Sequence, residues 1–189
     1  MPPNRQRLFQ LLFETAFLAS PTPRYPLSSG IVSPYYIDCR RALSYPEVRR
    51  LVGELLFERI PPLPVEAIGG LALGAYPLAI AISDAAYAKG VLLRVFVIRS
   101  EPKAHGLKKV LEGEVRKGDR VVIVDDVITT GRSAIEAILK SREEGLTVVK
   151  ALALVDRQEA GGRECIESYG IPFEALFTLQ DFTGRLGQP

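Results

Sequence analysis

RVVIVDDVITTGRSAIEAI, running from Arg120 to Ile138, is the stretch that decides the fold. The apolar run Val121 to Val124 reads, with Arg120, as a short strand buried on both faces. Asp125 and Asp126 stand where this strand is expected to end. Thr129, Thr130, Gly131, Arg132 and Ser133 then turn into a helix expected over Ser133 to Glu144. Backbone N–H groups at that helix start, its dipole and the Thr and Ser hydroxyls together suit a phosphate. Gly131 permits close backbone approach. Two nearby carboxylates can accept hydrogen bonds from vicinal sugar hydroxyls. Capping alone would account for Asp and Thr, but two adjacent acids are a costly way to cap at a buried strand end. The chemistry that fits is recognition of a phosphorylated sugar.

Outward from this unit, strands and helices alternate. Leu8, Phe9, Leu11, Leu12, Phe13 and Phe17 recur at helical spacing and predict an amphipathic first helix. A Pro- and Ser-rich stretch from Ser20 to Pro34 reads as turns and short strands, and leads into a strand at Tyr35 to Asp38. Ser44 and Glu47 have capping-box spacing and predict a helix through about Arg59, ended by Pro61 to Pro64. Further strands are expected at Val65 to Ile68, Val91 to Ile98, Thr147 to Val155 and Phe173 to Phe177. Helices are expected at Ala75 to Lys89 and about Gly162 to Tyr169. Short apolar strands alternating with helices imply an α/β fold with a parallel sheet covered on both faces. Functional residues in such a sheet belong at the carboxyl ends of its strands. Arg99 to Lys117 has neither helical nor strand period, and a long insertion of that kind in a compact domain is commonly functional.

Composition narrows the function classes. The chain has 189 residues, which suits one domain. Its 24 basic and 22 acidic residues leave a net charge of +2, too little for a nucleic-acid-coating polycation. Cys39 and Cys165 lie far apart, and His105 is the one histidine, so neither a zinc site nor a disulfide framework is expected. A reducing cytoplasm fits best. Gln10 and Glu14 interrupt the N-terminal apolar run, which argues against a signal peptide. The longest uncharged stretch, Ala67 to Ser83, is short of the ~20 residues that span a bilayer and is broken by glycines and Pro77. No membrane or nucleic-acid partner is expected.

The Arg120 to Ile138 stretch resembles the phosphoribosyl-pyrophosphate (PRPP) motif of type I phosphoribosyltransferases. Four more segments resemble those of orotate phosphoribosyltransferases. LSSGIVSPYYIDCRR (Leu27 to Arg41) is similar to their N-terminal signature, and GGLALGAYPLA (Gly69 to Ala79) to the turn that holds pyrophosphate. FVIRSEPKAHG (Phe96 to Gly106) is similar to their catalytic loop, and LVDRQE (Leu154 to Glu159) to the strand end that contacts orotate. The likeness runs from about Leu27 to Glu159 and preserves the order of the motifs.

The resemblance implies a type I phosphoribosyltransferase fold: a central, mostly parallel sheet flanked by helices, a small N-terminal hood and a mobile catalytic loop. It implies one domain over 1–189, with the first helix and hood over about 1–45 and the α/β core over about 46–189. The implied reaction displaces pyrophosphate from PRPP by a ring nitrogen of orotate, giving orotidine 5'-monophosphate in UMP biosynthesis. Lys103, Arg99 and His105 are expected on pyrophosphate, with Lys103 the principal catalytic loop residue. Asp125 and Asp126 are expected on the ribose, and Thr129 to Ser133 on the 5'-phosphate. Leu73 and Gly74 are expected in the pyrophosphate turn.

Arg157 is expected on the orotate carboxylate, with Tyr35, Tyr36 and Thr129 also near the base. Tyr35 and Tyr36 alternate across a strand, so only one of them can face the ring. Mg2+ is the implied cofactor, held mainly by PRPP, with a water-mediated link to Asp125 or Asp126 left open. A homodimer whose loops act in trans is implied too. Ser28, Leu73 and Ser100 stand where many family members carry lysine, so this chain has fewer cations near PRPP. Two alternatives stay open at this point: transfer to another base, and a non-catalytic PRPP-sensing regulator that binds nucleic acid.

Overall fold

The computed structural model describes residues 2–27, 29–62, 64–100 and 110–186. An N-terminal helix, α1 (Pro3–Thr15), buries Leu8, Phe9 and Leu12. Four short strands follow: β1 (Phe17–Ala19), β2 (Tyr25–Pro26), β3 (Val32–Ser33) and β4 (Tyr35–Ile37). They pair as two antiparallel ribbons, β1 with β4 and β2 with β3. Phe17 belongs to β1 rather than to the first helix, although it keeps the apolar spacing; it pairs with Ile37 and is buried. Two helices lead into the sheet, α2 (Cys39–Leu43) and α3 (Pro46–Phe57).

The expected capping box at Ser44 and Glu47 does not form. Tyr45 is the N-cap of α3, with no side-chain cap bond. Ser44 instead donates to the Arg41 carbonyl at 2.7 Å, and Glu47 pairs with Arg7 of α1 at 2.9 Å. Pro46 at the first helical position starts the helix without that cap.

The remaining elements are β5 (Ala67–Leu71), α4 (Ala75–Tyr87), β6 (Arg94–Ile98), β7 (Leu111–Gly113), β8 (Arg120–Ile128), α5 (Arg132–Glu143), β9 (Thr147–Asp156), α6 (Gly162–Ser168), β10 (Phe173–Thr178) and α7 (Leu179–Thr183). Six strands form one sheet in the order β10-β9-β8-β5-β6-β7. All its pairings are parallel except that of β7, which runs antiparallel on the β6 edge. β7 lies inside the segment whose sequence shows no period, because three residues are too few to show one.

Two apolar cores cover the two faces, and the side-chain alternation of β8 divides between them. Val122 and Val124 join α1, α3 and α4 on one face; Val121 and Ile123 join α5 and α6 on the other. Truncating one such fully buried aliphatic to alanine costs roughly 2–5 kcal/mol. The crossover helices α4 and α5 thus lie on opposite faces. β5 leads through α4 towards β6, while β8 leads through α5 towards β9. The chain winds outward in both directions from the β5–β8 pair, and a crevice opens at such a switch point beyond the strand ends. Among the described residues, no helix is long and apolar enough to cross a membrane.

Candidate active site

The strand β8 is longer than its apolar run suggests. It continues through the acid pair to Ile128, because β9 stays paired with it as far as Ile128 and Asp156. Its other neighbour, β5, is paired only as far as Gly69 and Ile123. Asp125 and Asp126 therefore do not terminate the strand. They lie on its free-running end, beside the crevice that β5 leaves open.

A cavity of about 310 Å³ occupies that crevice. Its floor holds Asp125, Asp126, Thr129 and Ser133, and Leu71, Ala72 and Gly74 form one side. Pro26, Tyr36, Asp38, Arg40 and Arg157 close it from the hood and the β9 end. Asp125 is 8% exposed. Burial pushes both aspartates above the ordinary carboxylate range, and the neighbouring charge of Asp126 raises Asp125 further. Backbone N–H groups work against this: Asp126 N–H donates to Asp125 at 2.9 Å, and Val127 N–H to Asp126 at 3.0 Å. The Cys39 thiol lines the same cavity, and burial, with Asp126 next, pushes it well up; it stays a neutral thiol.

Thr129, Thr130, Gly131, Arg132 and Ser133 enclose a second hollow of about 90 Å³ with Asp125. Gly131 takes φ of 75°, which turns the chain into α5. A Cβ there would lie 2.8 Å from the Gly162 carbonyl oxygen. Gly131→Ala is therefore expected to cost at least about 1–2 kcal/mol from the left-handed backbone alone. Thermal melting should show a fall of at least about 2–8 °C for a chain of this size.

Gly74 approaches the acid pair from the opposite side; a Cβ on it would stand 2.8 Å from Asp126 Oδ1. The expected pyrophosphate turn thus abuts the acid pair directly. Leu73 faces an adjoining hollow of about 420 Å³, shared with Ala72, Tyr76, Arg99 and Ser100. Arg99 pairs with Glu112 at 3.2 Å. Lys140 of α5 donates to the carbonyls of Arg99 and Ser100, each at 2.9 Å, and to Glu136 at 2.6 Å, tying this strand end to α5. Lys103 and His105 lie outside the described residues, as does Ser28.

Arg157 lines the cavity and is 3% exposed. Its Nε donates to Glu159 at 2.9 Å, and Nη2 to Ser33 Oγ at 3.1 Å and the Tyr35 carbonyl at 3.3 Å. These bonds lock a guanidinium against the cavity wall. The two tyrosines separate as strand alternation requires. Tyr36 lines the cavity, whereas the Tyr35 ring stacks on Phe17 at 5.9 Å and packs on the core. As the alternation requires, only the Tyr36 ring lines the cavity, while the Tyr35 carbonyl accepts from Arg157.

The cavity also takes in Asp38 and Arg40, which carried no role in the reading of the sequence. Their signal is their place just past β4, at the mouth formed by the hood. Two adjacent buried carboxylates fit a Mg2+ that arrives with phosphate oxygens already on it. Among the described residues, no cluster of three or more His, Cys, Asp or Glu could hold a metal unaided.

Comparison with known proteins places this arrangement. Residues 42–171 match the phosphoribosyl transferase domain family. The fold is that of a type I phosphoribosyltransferase. Orotate phosphoribosyltransferase of Aquifex aeolicus is 41% identical over 178 residues, covering 94% of this chain and 97% of that protein. That of Sorangium cellulosum is 41% identical over 182 residues, covering 95% and 93%. The Mycobacterium tuberculosis H37Rv orotate phosphoribosyltransferase solved with PRPP superposes with a TM-score of 0.78 at 30% identity, over 96% of this chain and 93% of that one. The chain belongs to the orotate phosphoribosyltransferase family.

Proposed function

We infer that the protein transfers the 5-phosphoribosyl group from PRPP to orotate, giving orotidine 5'-monophosphate and pyrophosphate in de novo pyrimidine biosynthesis. The observation that carries this is one cavity with an acid pair on its floor and a buried, locked Arg157 in its lining. Asp125 and Asp126 accept hydrogen bonds from the ribose hydroxyls and fix the sugar. N–H groups and hydroxyls of Thr129 to Ser133 hold the 5'-phosphate. The base lies towards Tyr36, with its carboxylate on Arg157. A ring nitrogen of orotate, giving up its proton to solvent, then forms the bond to ribose C1. The C1–O bond breaks, and its electron pair leaves with pyrophosphate.

Positive charge from Arg99 and Lys103, with His105 contacting the same group, stabilises the departing pyrophosphate. Asp125 and Asp126 would hold a Mg2+ that arrives on PRPP, and the ion would supply further positive charge to the departing group. The chain acts as a cytoplasmic homodimer, with the catalytic loop of each subunit serving its neighbour. Support for the dimer comes from Leu73, Tyr76, Ile80 and Tyr87, exposed apolar residues at helical spacing along α4 and its approach. A run of that kind is commonly covered by a partner.

Arg157→Ala tests the base assignment. The KM for orotate should rise at least about tenfold, the scale of one lost charge-assisted contact, while the KM for PRPP changes little. Steady-state kinetics in both substrates would measure it. An unchanged orotate KM would remove Arg157 from the base site.

A further inference from the structure

We propose that Arg40 is a binding residue for the diphosphate of PRPP and for the pyrophosphate product. This rests on the reaction assigned above. PRPP is a polyanion, yet among the described residues the charged side chains lining the cavity are three aspartates, 38, 125 and 126, and two arginines, 40 and 157. With all five ionised, these described side chains sum to one negative charge before substrate enters. Arg157 is committed by bonds to Glu159, Ser33 and the Tyr35 carbonyl. Arg40 is not: among the described residues its tie is a loose pair to Asp38 at 3.9 Å, and its side chain is 60% exposed.

Position assigns it to the diphosphate rather than to the base. Arg40 lies close enough to Asp126 to favour its ionised form. Asp126 is the acid against which Gly74 of the pyrophosphate turn packs. Arg40 thus lines the same cavity as Leu71, Ala72 and Gly74 of that turn and the acid against which the turn packs. Leu73 in that turn brings no charge. A guanidinium there can bind phosphate oxygens with paired N–H donors. Arg40 sits on the five-residue helix α2, whose start is fixed by the Asp38 carboxylate accepting from Arg41 N–H at 3.2 Å, so its backbone is held while its side chain stays available.

The test compares Arg40→Ala and Arg40→Lys with the parent enzyme in orotate-dependent pyrophosphate release. The alanine variant should raise the PRPP KM about tenfold and weaken inhibition by inorganic pyrophosphate to a similar degree. The orotate KM should change little, and lysine should restore most of the loss. Unchanged pyrophosphate inhibition would overturn the proposal. A parent enzyme with no orotate-dependent release would instead overturn the reaction assignment. Melting temperatures of the variants should match the parent, since the side chain is exposed and makes no close bond.

Discussion

Replacing both Asp125 and Asp126 by asparagine is expected to lower kcat/KM by about 10²-fold or more and to raise thermal stability at neutral pH. Each carboxylate offers the ribose a charged acceptor worth about 1.5–3 kcal/mol, so losing two costs at least ~3 kcal/mol, a factor of about 10². Asp126→Asn alone should cost at least about tenfold. Stability moves the other way. Both aspartates titrate above their ordinary range in the folded state, so folding binds protons more tightly than the unfolded chain does. Their ionisation destabilises the fold as pH rises from the ordinary carboxylate range through the raised values. Asparagine removes the repulsion between two buried charges. The gain in melting temperature should be present at pH 7 and shrink as the medium is acidified below the ordinary carboxylate range. Melting curves across pH, with kinetics on the same samples, measure both effects. A variant that keeps full activity would remove the acid pair from the ribose site.

Lys103→Ala is expected to lower kcat by about 10²-fold or more, or at least ~2.7 kcal/mol, through lost stabilisation of the departing pyrophosphate. If the lysine serves the neighbouring subunit, each site combines one chain's acid pair with the other chain's Lys103. Mixing Lys103→Ala protein with the Asp125→Asn/Asp126→Asn protein then forms heterodimers with one site carrying both defects and one carrying neither. Activity should return towards half the parental value per heterodimer, with subunit exchange verified by mass spectrometry of tagged chains. Verified heterodimers with no recovery would place Lys103 in its own subunit's site.

Much of this was legible in the chain itself, for definite physical reasons. The parallel sheet followed from short apolar runs separated by helical patterns, since burial on both faces leaves no polar alternation to obscure them. The acid pair and the Thr129 to Ser133 turn were legible because their chemistry is local. What escaped depends on partners distant in sequence. β8 runs on to Ile128 because β9 keeps its backbone paired there, so Asp125 and Asp126 stay within the strand. Ser44 and Glu47 carry capping spacing, yet Arg7, forty residues from Glu47, takes the carboxylate. Phe17 keeps helical spacing, but its backbone pairs with Ile37. Arg40 and Lys140 were invisible for the same reason: one gains its place from the hood closing over β8, the other from α5 lying beside the Arg99 strand end.

The most direct test of the central assignment is pyrophosphate release from PRPP, measured with Mg2+ and with orotate, uracil, adenine and guanine in turn. Arg157 in the cavity lining predicts fast release with orotate and little with uracil, which has the same ring without the carboxylate. Equal rates with uracil and orotate, or release driven by a purine instead, would contradict it.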